Sequence, residues 1–234
     1  MILAYLRRGL TAGLLAGLLA GLFAYLFAEP SLDRAIELEN AAHTGEHHTG
    51  VFSRGQQKVG LILATALYGT SVGALFGLLS AFFRRRISTR SEWRRSMILA
   101  GAVFLGAVLL PFLKYPPNPP GVGADPATLT GRTLAYLAMV ALSLLAVLAA
   151  WRFARGLEGA SPPVRDLTSG GILVGLWTFL YLAMPHFGVV AGHAPADLIW
   201  DFRLSALGTQ AVLWAAIGCA FGLLGERANR RGAL

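Results

Sequence analysis

The sequence predicts an all-α integral membrane protein, a bundle of six transmembrane helices, on three observations. Of the 234 residues, 55% are hydrophobic and only 14% are charged, where average soluble chains carry about a quarter charged residues. The apolar residues gather into six runs that meet or approach the roughly 20 residues a helix needs to cross a bilayer. Lys and Arg cluster at alternate ends of those runs, the pattern that orients a chain in a membrane.

The runs lie at roughly 9–28, 59–83, 96–113, 132–151, 167–185 and 204–225, and none has an ionisable residue near its centre. The first carries a ladder of Gly9, Gly13, Gly17 and Gly21 beside Ala12, Ala16, Ala20 and Ala24, a small-residue face suited to close helix packing. Arg7 and Arg8 ahead of an apolar run also resemble a secretory signal. This run is longer than such a signal, and its ladder reads as a retained helix. The second run repeats the theme with Gly69, Gly73 and Gly77. The third is the shortest and ends at Pro111, which lacks the donor a helix interior needs. The sixth holds the single cysteine, Cys219, too little for a disulfide framework or a Cys-based metal site. GALFGLL at 73–79 lines up with GCAFGLL at 218–224, and RGLTAG at 8–13 with RDLTSG at 165–170. Helices one and two are thus expected to recur as helices five and six, a parallel repeat of the kind transporters use to frame a site. The whole of 1–234 reads as a single membrane domain.

With both termini cytoplasmic, Arg7, Arg8, Arg84, Arg85, Arg86, Arg90, Arg94, Arg95, Arg152, Arg155, Arg165, Arg227, Arg230 and Arg231 fall inside. Only Arg34, Arg54, Lys58, Lys114, Arg132 and Arg203 fall outside, as the positive-inside rule requires. The net charge of +8 therefore belongs to membrane orientation, and no groove-reading motif points to nucleic acid. The outer loops are about 29–58, 114–131 and 186–203, and they hold all five histidines.

The first outer loop carries the chemistry. Pro30 is suited to start a helix. The pattern from there places Leu32, Ala35 and Ile36 on one face and Glu29, Asp33 and Glu37 on another, a short amphipathic helix lying on the outer surface. Beyond it, HTGEHHTG sets His43, Glu46, His47 and His48 within a few residues between two glycines. Imidazole suits zinc, copper, nickel and cobalt, and carboxylate suits harder ions, so the loop reads as a flexible collector of a divalent metal. The third outer loop adds His186, where helix five ends, and His193. The metal candidates are therefore Glu29, Asp33, His43, Glu46, His47, His48, His186 and His193. The second outer loop, with five prolines between 111 and 120, is a stiff connector. No phosphate-binding glycine loop, zinc-hydrolase spacing or nucleophile beside a base is present, so an enzyme is not expected.

Several of these pieces together resemble the CbtA family, the predicted cobalt transporter subunit. They are Glu29-Pro30 with the acidic helix, the His-rich loop, Ser53-Arg54 with Gln57, Tyr68-Gly69, and the distinctive run from Pro111 through Lys114-Tyr115 and Asn118 to Pro120. Arg132 with Tyr136, Trp200-Asp201-Phe202-Arg203, and Gln210 with Trp214 complete the likeness. The resemblance implies a multi-pass protein of the prokaryotic inner membrane, tied to cobalt supply for cobalamin. It also implies a small single-span partner, a CbtB-like subunit with its own histidines. The family is usually described with five spans, where six are counted here.

The leading expectation is a subunit of a divalent metal uptake system, with Co²⁺ as cargo and Ni²⁺ or Zn²⁺ as rivals, its outer loop capturing the ion and its bundle passing it inward. The alternatives are the ligand-binding membrane subunit of a cobalamin-type vitamin importer, and a non-transporting assembly protein. Self-association into a homo-oligomer is a further arrangement open to the chain.

Overall fold

The structure, a computed structural model, describes residues 2–42, 53–87, 89, 91–120, 122, 126–157, 159–188 and 194–230. The described residues form seven helices: α1 (Ile2–Phe27), α2 (Glu29–Ala42), α3 (Arg54–Phe83), α4 (Glu92–Lys114), α5 (Leu129–Gly156), α6 (Pro162–Ala183) and α7 (Ala196–Arg230). All but α2 are long and apolar enough to cross a membrane, and no strand occurs among the described residues.

The chain divides into two compact units. One takes in α1–α3, the start of α4 and α7, together with Asn118 and its neighbours to 121. Its centre is the pairing of α1 with α3. A Cβ at Gly13 would stand 2.8 Å from the Gly73 Cα, and closer still to the Gly69 carbonyl oxygen. A Cβ at Gly73 would likewise meet the Gly13 Cα at 2.5 Å. Gly9 and Gly17 on α1 are shut in by α3 backbone in the same way. Small residues let the two backbones touch, which replaces the hydrophobic drive that lipid removes. Ala12, Ala16, Ala20 and Ala24 are also buried, and α1 packs on α7 as well as on α3.

The α1–α2 break falls at Ala28, two residues before Pro30, whose ring clashes with the carbonyl four residues back. The start of α3 is fixed by a capping box. The Ser53 hydroxyl accepts from the Gln56 amide, and the Gln56 side chain accepts from the Ser53 amide at 2.9 Å. At the other end of this unit, Gly218 and Gly222 of α7 admit the start of α4: a Cβ at Gly222 would lie 3.0 Å from the Trp93 Cα.

The second unit holds the rest of α4, α5, α6 and the segment after α6. Here α4 does not stop at Pro111 as the sequence leads one to expect. It passes through a π turn, Leu105–Leu109, and the Leu110 amide donates to the Leu105 carbonyl five residues back. The wider turn absorbs the proline's missing donor and its ring, so the helix runs on to Lys114. Gly106 lies in that turn, and a Cβ on it would come 3.1 Å from the Leu144 Cα of α5. By contrast α6 has no buried residue, and Gly170, Gly171 and Gly175 meet nothing within 4 Å.

Candidate functional site

Two of the predicted metal residues come together where α1 gives way to α2. Glu29 and Asp33 are one helical turn apart and share a face of α2. Opposite them stand Arg54 and Lys58, also one turn apart, on the first turns of α3. The Arg54 Nη2 lies 2.8 Å from the Glu29 Oε2, and its Nε donates to the Asp33 Oδ1 at 3.0 Å. A second, very short Arg54–Asp33 contact closes the fork. The Lys58 Nζ lies 2.9 Å from the Asp33 Oδ2 and 3.9 Å from the Glu29 Oε2. Two carboxylates therefore face two cations, and the group is neutral. Glu29 is its buried member, with only 5% of its side chain exposed.

Burial of Glu29 follows from its place. It follows directly on the end of a helix whose small face is zipped to α3, so its carboxylate is drawn against α3 rather than into water. Such a buried charge persists only when paired and hydrogen-bonded. The Lys58 ammonium and the Arg54 guanidinium, both hydrogen-bonded to Asp33, hold its carboxyl below the usual carboxylate range. A carboxyl whose value is lowered by folding stabilises the fold fully above its unfolded value, about 3.9, and that support is lost as the pH falls through the lowered one. Thermal unfolding in detergent between pH 6 and pH 3 is expected to show a flat midpoint that drops only at the acid end. Asp33→Asn should remove part of that acid-side drop.

The remaining predicted residues are placed differently. His186 is exposed and belongs to the second unit. It follows Pro185, whose carbonyl accepts from the Tyr115 hydroxyl at 2.6 Å. Burial pushes that hydroxyl's pKa up. In the same unit the Lys114 Nζ donates to the Tyr181 carbonyl at 2.7 Å, and Trp177 Nε1 donates to the Leu110 carbonyl at 3.2 Å. These contacts brace the α6 end against α4 and give the Lys114-Tyr115 pair a structural task. His43, Glu46, His47, His48 and His193 lie outside the described residues. Among the described residues no three His, Cys, Asp or Glu side chains converge as a metal cage.

Reading the sequence missed the cations. Arg54 and Lys58 repeat the four-residue spacing of Glu29 and Asp33 with opposite charge, and the Ser53–Gln56 capping box marks the helix start that carries them. Both signals are visible in the chain. The Arg203 Nη2 donates to the Asn118 Oδ1 at 2.7 Å, tying α7 to the proline-rich segment. Asp197 takes the exposed Arg34 at 2.9 Å.

Six long apolar helices and a paired-carboxylate site at the end of the first define a multi-pass membrane protein. The chain belongs to the CbtA family: the model of that family, described as a probable cobalt transporter subunit, matches residues 2–226. No curated protein and no solved structure gives a significant match to the chain.

Proposed function

We propose that this chain is the membrane subunit of a cobalt uptake system, with both termini in the cytoplasm of a prokaryotic cell and α2 on the outer face of its inner membrane. The observation that carries the reading is Glu29, a buried carboxylate at the end of the first span in a chain of the cobalt transporter family. Its counter-ions Arg54 and Lys58 hold the place of an arriving cation. Co²⁺ displaces them, taking Glu29 and Asp33 oxygens as ligands, and the freed cations swing to water. The segment with His43, Glu46, His47 and His48 gathers the ion first, with His186 and His193 on the same side. Imidazole binds the borderline divalent ions well. A small single-span, histidine-bearing subunit of the CbtB kind completes the system.

The test is cellular cobalt with and without the chain and its partner, measured by elemental analysis at low external Co²⁺. Accumulation should rise several-fold with both present, and equal accumulation would sink the reading. The triple variant His43→Ala, His47→Ala, His48→Ala should lower uptake at scarce metal and leave it near native at abundant metal. Loss at every concentration would show that these histidines do more than collect.

A further inference from the structure

The first unit contains two buried carboxylates among its described residues, and the entry site uses only one of them. The other is Glu92, 6% exposed, at the start of α4. It is held as Glu29 is, by two cations. Arg95 pairs with its Oε1, and the Arg8 Nη1 stands 3.7 Å from its Oε2. Arg8 also lies over the rings of Tyr5 and Phe221, at 4.9 Å and 5.1 Å. Gly225 makes the room, since a Cβ there would come 2.9 Å from Arg8 Nη1 and 3.0 Å from the Glu92 Cβ. The pairing is incomplete: Arg8 Nη1 and Arg95 Nε are buried without a hydrogen-bond partner. A pair kept for stability alone would close those bonds, because burying an ion is repaid only by good geometry.

Between the two carboxylates lies a series of buried polar atoms whose bonding capacity the protein does not meet. They are Gln210 Oε1, Trp214 Nε1, Ser80 Oγ and Tyr5 Oη. Native interiors pair nearly all such atoms, so a run of four in one unit sets this region apart. Their order can be read from contacts. Gly208 abuts the Phe23 ring, which sets that level of α7 about 9 Å below Glu29 at 1.5 Å per residue. Gln210 and Trp214 share a face of α7, one turn apart. Trp214 meets Phe76 at 6.4 Å between ring centres, Phe76 meets Phe221 at 5.2 Å, and Phe221 meets Tyr5 at 6.0 Å. Ser80 is one turn beyond Phe76 on α3. Gly225, beside Arg8 and Glu92, is about 22 Å along α7 from Gln210.

We propose that the path of the divalent cation runs inside this unit, between α1, α3 and α7, from Glu29 past the oxygens of Gln210, Ser80 and Tyr5 to Glu92, which is the inner release carboxylate. The inference rests on the cobalt-uptake reading and gives it a route. Neutral oxygens at intervals suit a partly hydrated divalent ion, which keeps some of its waters and exchanges others. Glu92 receives the ion when Arg8 gives up its 3.7 Å contact and stays on the two aromatic faces it already covers, so each end of the path is closed by a guanidinium.

Gln210→Leu tests this, because it removes the buried Oε1 that has no hydrogen-bond partner and puts an apolar group of similar size in its place, a change that costs the fold little. Expressed with its partner, that variant should accumulate at least tenfold less cobalt than the native chain, with an unchanged or higher thermal midpoint. Native-like accumulation would overturn the route. A second measurement is independent of cargo. In a Cys219→Ser background, Gln210→Cys and Ser80→Cys should react with a small water-soluble methanethiosulfonate in membrane vesicles, more slowly when Co²⁺ is present. Leu75→Cys, at an exposed apolar position, is the unreactive reference. Labelling at 80 and 210 no faster than at 75 would also overturn the route. If both label while the native chain raises no cobalt, the cargo assignment fails and the water-lined path stands.

Discussion

Gly13→Val and Gly73→Val should each leave little folded protein, while Gly175→Ala leaves the fold unchanged or slightly more stable. At the first two positions the obstacle is backbone on both helices. The Gly13 site faces the Gly69 carbonyl and the Gly73 Cα, and the Gly73 site faces the Gly9 carbonyl and the Gly13 Cα. No side chain can rotate out of the way, so α1 and α3 must separate along their length. Overfilling a packed interior costs about 1–3 kcal/mol, sometimes more, and a backbone obstacle places these changes at or above the top of that range. Separation would also forfeit the dispersion contacts of the whole seam, and these are what hold helices together in lipid. Gly175 has the same residue type and the same helical setting, but nothing lies within 4 Å of its Cβ position. There alanine gains only helix propensity, up to about 1 kcal/mol over glycine. Thermal unfolding of the three variants in detergent, followed by circular dichroism, checks the contrast. Equal stabilities for Gly13→Val and Gly175→Ala would mean that the α1–α3 seam is not where the fold is held.

The same contrast shows what a sequence can and cannot disclose. Six spans were legible because length and apolarity are all a bilayer demands of a helix. The Gly9–Gly21 ladder was legible as a packing face, since close approach has a residue type of its own. Gly171 and Gly175 have the right spacing too, yet lie open, because a motif states what a surface permits and not what arrives there. Pro111 misled for a related reason. A proline's missing donor is a local fact, but whether the chain breaks or widens into a π turn depends on Gly106 nestling against Leu144 of α5. The last helix starts at Ala196, well before its apolar run, because its polar first turns still bury Leu198 and bond Ser205 back to the Asp201 carbonyl. At the candidate site, the acids were legible from their spacing on α2. Their partners were not, because Arg54 and Lys58 reach them across the His43–Gly50 stretch, and pairing over that separation is set by the α1–α3 seam. Glu92 escaped notice because it stands among arginines at the end of a span, where charge is expected to be solvated.

Replacing Arg54 separates a structural ion pair from a cation site. Arg54→Gln removes the 2.8 Å partner of Glu29 and leaves a buried carboxylate with only Lys58, 3.9 Å away. Stripping one member from a buried pair costs about 3–5 kcal/mol, since the remaining charge is uncompensated. Arg54 is 34% exposed on its side chain and water reaches that rim, so a loss near 3 kcal/mol is expected. A purely structural pair would show that loss at every metal concentration. If Glu29 and Asp33 are a cation site that Arg54 covers, Co²⁺ should restore the variant, because a ligand that binds only the folded state adds about 2.7 kcal/mol at a hundred times its Kd. The native protein should respond much less, its guanidinium competing with the ion. Glu29→Gln combined with Arg54→Gln provides the decisive comparison. It removes both charges, so the metal-free double variant should recover much of the stability that Arg54→Gln loses and show little response to Co²⁺. Melting curves across a Co²⁺ titration should therefore rise steeply for the single variant and stay nearly flat for the native chain and the double variant. An Arg54→Gln midpoint that stays low and flat throughout would leave Glu29 as a structural anchor for α2, and would move the entry point for the ion elsewhere in the outer loops.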